Sequence, residues 1–219
     1  MPQIIDSLAQ IASKYDAAFV DLWGCVHNGV TAYPAAIAAL QAYRAQGGKV
    51  VLVTNAPRHR ASVAQQIARM GVPDDAWDII ATSGDSARMA MFTGAVGEKV
   101  WFMGEAHDAH FFDPLALVTD PVPVQKVPLQ EAEGIVCCGP FDPHADPEVN
   151  RGDFLYAKTK GMKLLCANPD IVVDRGEKRE WCAGALAKLY TEMGGESLYF
   201  GKPHPPIYDL ARRRLTEIG

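Results

Sequence analysis

The sequence predicts an α/β fold in which a parallel-sheet core carries an inserted second α/β segment. Short apolar runs alternate with longer stretches of helix formers, and glycine or proline stands between them. Three β–α pairs come first, and strands joined through helices form parallel sheets with right-handed crossovers. A second β–α series follows, and the motifs described below lead us to divide the chain into a core at 1–84 and 181–219 and an insertion at 85–180.

The first part of the chain supplies the predicted core elements. A helix is expected over 2–16, and the apolar residues 18–20 predict a strand that ends on Asp21. Pro34 suits the first turn of the next helix, and the apolar run 49–54 is typical of a buried parallel strand. The remaining elements of this part are a helix at 58–70, a strand at 78–82 and a helix that ends near 94.

The insertion begins with a strand at 99–104. Four prolines make 113–128 an irregular or edge segment, because proline cannot donate to a strand ladder. The charged residues 174–181 predict a linking loop, and we expect the strand at 197–201 to return near Asp21. Further predicted elements are a helical piece at 105–112, strands at 134–139 and 163–167, and helices at 148–161, 183–193 and 205–217.

The amino-acid composition makes some classes of function less plausible than others. Hydrophobic residues make up 48% and charged residues 21%, as in ordinary globular proteins. The net charge of -5, without a basic block, argues against nucleic acid or a membrane surface as partner. No secretory signal or membrane span is recognisable, and five cysteines without a C-x-x-C pair fit reduced thiols. We therefore expect a cytoplasmic protein.

Three predicted strand ends carry residues suited to phosphate chemistry. Ligands of open α/β sheets bind beyond the carboxyl ends of the strands. Asp21 could attack phosphorus there and form an aspartyl-phosphate. Thr54 and the Asn55 amide at a helix start suit phosphate oxygens, and Lys202 adds a compact positive charge. Each residue alone also fits a turn, a helix cap or a solvated lysine, so the prediction depends on the combination.

The order of four motifs resembles the haloacid dehalogenase superfamily. They are D-x-x-G from Asp21, V-T-N-A-P-R from Val53, N-P-D from Asn168 and G-K-P-H-P-P-I-Y from Gly201. The chain looks most like the class IIA subfamily, which includes sugar-phosphate and nitrophenyl-phosphate phosphatases. This resemblance implies a Rossmann-like core with a large α/β cap.

The resemblance also implies a reaction, the Mg²⁺-dependent hydrolysis of a small phosphorylated metabolite such as a sugar phosphate. The implied roles are Asp21 as nucleophile and magnesium ligand, the Trp23 backbone carbonyl as second ligand, Thr54 and Asn55 as phosphate-binding residues, Lys202 as the neutralising cation, and Asn168 and Asp170 as residues that shape the substrate pocket.

Two features depart from the family pattern. Trp23 stands where these phosphatases usually carry an aspartate as general acid, and an indole cannot transfer the proton. His27 could act as the acid instead, because imidazole titrates near neutral pH. The chain also ends before the strand that normally supplies further acidic magnesium ligands, and we expect that it is truncated there.

Several alternatives stay open. A metal-independent, dehalogenase-like hydrolase would tolerate the aromatic Trp23. A catalytically weak or silent protein would bind a phosphorylated ligand without turnover. His107 and His110 could form a zinc site with Asp108 or Asp113, although a surface helix also explains them. An exposed apolar cap face would allow a homodimer, and the sequence does not name the substrate.

Overall fold

The structure is a computed structural model that describes residues 4–175 and 178–219. Contacts divide the described residues into two compact units. The first comprises Met1–Thr54, Ala61–Ala81 and Asp209–Gly219, and the second comprises Asn55–Arg60 and Thr82–Tyr208. These units place 181–208 with the insertion rather than with the core of the sequence-based division. The boundary between core and cap therefore stays a prediction.

A three-stranded sheet forms the centre of the first unit. Its strands, in order across the sheet, are β1 (Ala17–Asp21), β2 (Lys49–Thr54) and β3 (Ile79–Thr82). β1 and β2 are parallel, with Asp21 opposite Val53. Every residue of β2 after Lys49 is buried, as its continuous apolar run predicts.

Helices α1 (Ala9–Ala12), α2 (Pro34–Ala45) and α3 (Arg60–Arg69) accompany these strands, with a 3-10 turn at Asp74–Ala76. Pro34 occupies the start of α2, as predicted. The helix predicted over 2–16 is wrong in extent, since only Ala9–Ala12 is α-helical among the residues described there, and residues 1–3 lie outside the description. Its N-cap, Leu8, provides no side-chain hydrogen bond that would stabilise an earlier turn.

The second unit contains the remaining strands. They are β4 (Lys99–Met103), β5 (Gln125–Lys126), β6 (Gly134–Cys137), β7 (Lys163–Cys166), β8 (Val172–Arg175), β9 (Lys178–Trp181) and β10 (Glu196–Tyr199). Five of them form a sheet of order β10-β7-β6-β4-β5, in which all neighbouring pairs are parallel. The predicted α/β class with parallel sheets is therefore confirmed.

β10 joins this second sheet, with Leu198 opposite Leu165 of β7. The sequence analysis assigned the strand at 197–201 to the core, whereas in the structure this strand pairs with β7; the division into core and cap stays a prediction. A short apolar run predicts a strand but carries no information about which sheet the strand joins.

The charged residues 174–181, predicted as a loop, belong instead to an antiparallel hairpin of β8 and β9 in the described residues, so that prediction is wrong. Val172 lies opposite Trp181, and Asp174 accepts two hydrogen bonds from Arg179, at 2.7 and 2.9 Å. Opposite charges that face each other across two strands stabilise a hairpin. Residues 176–177 lie outside the description.

Helices α4 (Ser83–Phe92), α5 (Arg151–Thr159), α6 (Ala183–Glu192) and α7 (Pro205–Glu217) complete the described α-helices, and 3-10 segments cover Ala106–Phe112, Leu129–Glu131 and Pro147–Asn150. In the second unit, one buried apolar cluster includes Phe154, Leu186 and Tyr190, and another includes Met91 and Leu165. No helix in the described part of the chain is long and apolar enough to cross a membrane.

A buried arginine on α4 donates hydrogen bonds to the backbone of the irregular segment that follows β4. Arg88 is only 1% exposed, and its Nε donates to the Phe111 carbonyl oxygen at 2.9 Å. Its Nη2 donates to the carbonyl oxygens of Asp113 and Pro114, and its Nη1 lies 3.4 Å from the Asp85 carboxylate. Burial lowers the pKa of Arg88, and the charge of Asp85 opposes that effect. The guanidinium thus orders the start of the proline-rich segment.

Candidate active site

Asp21 and Thr54 end two neighbouring parallel strands of the first unit. Because Asp21 lies opposite Val53, Thr54 follows one residue later at the same edge of the sheet. Oδ1 of Asp21 accepts a hydrogen bond of 2.7 Å from the Leu22 backbone N–H, which orients the carboxylate. Asp21 is half-buried, and Thr54 is buried. This edge therefore combines a carboxylate with a hydroxyl.

Residues 22–29, which we call the flap, fold into a tight loop after β1. The Leu22 carbonyl oxygen accepts backbone hydrogen bonds from three N–H groups, and Gly24 N–H donates to the His27 carbonyl oxygen at 2.8 Å. The Trp23 ring meets the His27 ring edge-on, with centroids 5.5 Å apart. Gly29 has φ +88°, and a Cβ there would lie 2.5 Å from Cη2 of Trp23. The flap therefore requires glycine at this position.

His27 is held in its neutral form. Its Nδ1 accepts a hydrogen bond of 2.9 Å from the Gly29 backbone N–H, so the ring proton is on Nε2. The residue is 3% exposed, and burial lowers the pKa of His27, while the Asp21 carboxylate acts in the opposite direction. A neutral imidazole is a poor proton donor to an alkoxide. These observations weigh against the acid role predicted for His27.

The end of β1 and the flap each supply one oxygen ligand of the kind that a magnesium ion binds. Mg²⁺ prefers oxygen ligands, usually takes only one or two protein carboxylates, and keeps several waters. The Asp21 carboxylate is one such ligand. The Trp23 carbonyl oxygen is another, and no described residue donates a backbone hydrogen bond to it. The residues present therefore fit a hydrated ion held by two protein oxygens.

The alternative zinc site is not supported. No group of three or more histidine, cysteine or acidic side chains is placed to hold a metal in the described ranges. His107 Nε2 lies 3.5 Å from Asp108, whereas His110 Nδ1 lies 3.0 Å from Asp113. The two histidines thus face different carboxylates.

In the second unit, the side chain of Asn55 joins three segments. Its Nδ2 donates to Oδ1 of Asp170 at 2.9 Å and to the Lys202 carbonyl oxygen at 3.1 Å. Its Oδ1 accepts a hydrogen bond of 2.7 Å from the Lys202 backbone N–H. Asn55 is 8% exposed. The side-chain amide of Asn55 therefore positions the backbone of Lys202. The sequence analysis did not predict this role, because it depends on contacts between segments that are distant in the sequence.

Close packing around Gly201 completes this arrangement. A Cβ at Gly201 would lie 2.5 Å from Cδ of Pro169, 2.6 Å from Oδ1 of Asn55 and 2.7 Å from Oγ of Ser83. Only glycine allows the backbone to come this close, so the glycine of the G-K-P motif positions Lys202. Asn168 stabilises the same region, because its Oδ1 accepts a hydrogen bond of 3.0 Å from the Asp170 N–H.

A cavity of about 520 Å³ lies within the second unit. Asn168 lines it, and its role in shaping a substrate pocket stays a prediction. Asp170 is not among the lining residues. The other lining residues are Pro57, Arg58, Glu105, His107, Asp108, Cys138, Gly139, Pro140, Pro143, His144, Val173, Glu180, Trp181 and Cys182. The sequence analysis proposed no role in a pocket for Arg58 or Glu180, and only the fold brings them together.

Comparisons with known proteins agree with this architecture. Residues 18–116 match a family model described as haloacid dehalogenase-like hydrolase. A hydrolase of the haloacid dehalogenase-like family from Brucella suis is 40% identical, with a TM-score of 0.90, over 98% of this chain and 76% of that chain. No curated protein matches the chain in sequence.

Two more distant structures share the fold. A glycerol phosphate phosphatase from Mycobacterium tuberculosis, solved in complex with magnesium, is 23% identical with a TM-score of 0.68, over 94% of this chain and 60% of that chain. A 4-nitrophenylphosphatase from Thermotoga maritima is 19% identical with a TM-score of 0.69, over 94% of this chain and 76% of that chain. The present chain thus spans between about three fifths and three quarters of these proteins.

Proposed function

Since the chain belongs to the haloacid dehalogenase-like hydrolase family, we propose that it hydrolyses a small phosphate monoester through an aspartyl-phosphate on Asp21. The parallel register of β1 and β2, with Asp21 and Thr54 at one sheet edge, is the observation that carries this proposal. Phosphatases among the proteins of similar fold support the substrate class by analogy. The net charge of -5 favours a small metabolite over nucleic acid as the partner.

In the proposed reaction, the Asp21 carboxylate attacks phosphorus, and the bond between phosphorus and the alcohol oxygen breaks. Water then attacks the phosphorus of the aspartyl-phosphate, which breaks the bond to Asp21 and releases phosphate. The Thr54 hydroxyl and the Asn55 backbone N–H donate hydrogen bonds to the phosphate oxygens. Lys202 compensates their negative charge. The Asn55 side chain acts through Lys202, so it is a positioning group.

We propose Mg²⁺ as the cofactor, held by the Asp21 carboxylate and the Trp23 carbonyl oxygen. When bound, the ion would stabilise the charge on the phosphate oxygens. The chain's own contribution is to orient the Asp21 carboxylate through the Leu22 N–H, next to the flap residue Trp23 that offers the second oxygen.

The leaving oxygen lacks an evident proton donor on the flap. Trp23 cannot donate the proton, and His27 is neutral. Loss of a general acid lowers rates by about a hundred- to ten-thousand-fold, and by less when the leaving group is already acidic. This feature favours a second candidate function, a protein that binds a phosphorylated ligand with little turnover.

Hydrolysis of p-nitrophenyl phosphate with and without Mg²⁺ tests the proposal, because this leaving group needs no acid. We expect metal-dependent turnover that falls to background in Asp21→Asn. Asp16→Asn is the matched control, since Asp16 is exposed just before the opposite end of β1. Unchanged turnover in Asp21→Asn would contradict the nucleophile role, and turnover without metal would favour the dehalogenase-like alternative. Phosphate binding without turnover would favour the second candidate function.

A further inference from the structure

The cavity of the second unit borders the segment that the proposed function assigns to the phosphate. Pro57 and Arg58 line it, and they follow Asn55 by two and three residues. Asn168 also lines it, and Asp170, two residues later, accepts a hydrogen bond from the Asn55 side chain. The cavity is therefore next to the phosphate-binding segment, where the alcohol part of an ester would lie.

One wall of the cavity contains a buried carboxylate with an unsatisfied oxygen. Asp108 is 7% exposed, and its Oδ2 accepts a hydrogen bond of 3.0 Å from the Glu105 N–H. Its Oδ1 is buried and accepts no hydrogen bond from the described residues. Nε2 of His107 lies 3.5 Å from Oδ1, close enough for an ion pair when the imidazole is protonated, on a side chain that is 60% exposed. A buried oxygen that accepts no hydrogen bond lowers the stability of the folded protein. A ligand that donates a hydrogen bond to Oδ1 would therefore bind more tightly.

The charges around the cavity favour a cation. Glu105, Asp108 and Glu180 contribute three carboxylates, whereas Arg58 is the arginine among the lining residues, and the two lining histidines, His107 and His144, are positive only when protonated. Burial raises the pKa of Asp108, and the nearby His107 acts in the opposite direction. A cation beside Oδ1 would favour the ionised carboxylate and offset the cost of its burial. The apolar surfaces of Pro140, Trp181 and other lining residues can contact the carbon atoms that carry such a cation.

We propose that this cavity binds the leaving group of the phosphate ester, and that this group carries a protonated amine that donates a hydrogen bond to Oδ1 of Asp108. The inference rests on the proposed function, because it assigns the phosphate to the neighbouring Asn55 segment. It narrows the substrate to phosphate monoesters of small amino alcohols or of larger alcohols that bear an amine.

Ligand pairs that differ only at the terminal group test this inference. Calorimetry on the Asp21→Asn protein with Mg²⁺ would compare aminoethyl phosphate with propyl phosphate, and inorganic phosphate would serve as the reference. We expect aminoethyl phosphate to bind about ten- to a hundredfold more tightly than propyl phosphate, as for one hydrogen bond to a buried charge. Equal binding of the two esters would overturn the inference and leave the proposed function intact. No binding of any phosphate compound would overturn both.

Substitutions of cavity residues test whether Asp108 causes the preference for aminoethyl phosphate. Asp108→Asn in the same background should remove most of the preference for aminoethyl phosphate and leave the affinity for propyl phosphate unchanged. Asp153→Asn, on the exposed face of α5, is the matched control and should retain the preference. If Asp108→Asn does not fold, Glu180→Gln should lower the preference by about threefold, the value of a partly exposed ion pair. A folded Asp108→Asn protein that keeps the full preference, or a folded Glu180→Gln protein whose preference equals that of the parent, would overturn the assignment.

Discussion

Replacement of Asn55 by alanine tests how the segment around Lys202 is held. The change removes both hydrogen bonds to the Lys202 backbone and the hydrogen bond to Asp170. Each backbone hydrogen bond contributes about 1 kcal/mol. Asp170 is exposed, so water replaces its lost partner and that bond adds only about 0.5 kcal/mol. We therefore expect Asn55→Ala to lower the free energy of unfolding by about 2 to 3 kcal/mol.

Urea denaturation followed by circular dichroism would measure this difference. Asn150→Ala is a suitable control, because Asn150 is 7% exposed and its Nδ2 donates one hydrogen bond of 3.2 Å, to the Pro147 carbonyl oxygen. The control should lose about 1 kcal/mol. If Asn55→Ala is no more destabilised than Asn150→Ala, the Asn55 side chain does not hold Lys202 in the way that the structure indicates.

Two further predictions concern the flap. Burial lowers the pKa of His27 in the folded protein, so as the pH falls below about 6.5 the unfolded chain takes up this proton before the folded protein does. Relative to His27→Gln, the wild type should lose up to about 1.4 kcal/mol of unfolding free energy per pH unit in that range, until His27 is also protonated in the folded protein. Parallel pH profiles of urea denaturation in the two proteins would contradict this. Gly29→Ala should lower Tm more than Gly24→Ala, because both glycines have positive φ but only Gly29 contacts the Trp23 ring. Equal shifts in Tm would mean that the ring contact is unimportant.

Local signals predicted much of the secondary structure. β2 has its predicted bounds because its uninterrupted apolar residues suit a strand covered on both faces. The start of α2 at Pro34 followed from the preference of proline for the first helical turn. The pairing of β8 with β9 was not predicted, because the number of charged residues does not show that Asp174 and Arg179 lie opposite each other and form an ion pair.

In the candidate site, too, local sequence features were predictable, whereas contacts between distant residues were not. The predicted strand ends and the order of the motifs together singled out Asp21 and Lys202 as candidates, and their roles stay proposals. The carboxamide of Asn55 contacts residues 115 and 147 positions away, so its positioning role is visible only in the folded chain. The unsatisfied oxygen of Asp108 is likewise a property of its surroundings, since burial and missing donors cannot be read from one residue type.

The guanidinium of Arg88 acts as an internal replacement for solvent. Carbonyl groups of an irregular segment normally need water, and those of Phe111, Asp113 and Pro114 receive their donors from one side chain instead. The chain after β4 can therefore be irregular while these carbonyl oxygens still accept hydrogen bonds. Since the bonds go to backbone atoms, side chains at 111–114 could change in evolution while the arginine stays. Replacement of Arg88 itself would leave several carbonyl groups without a hydrogen-bond donor at once.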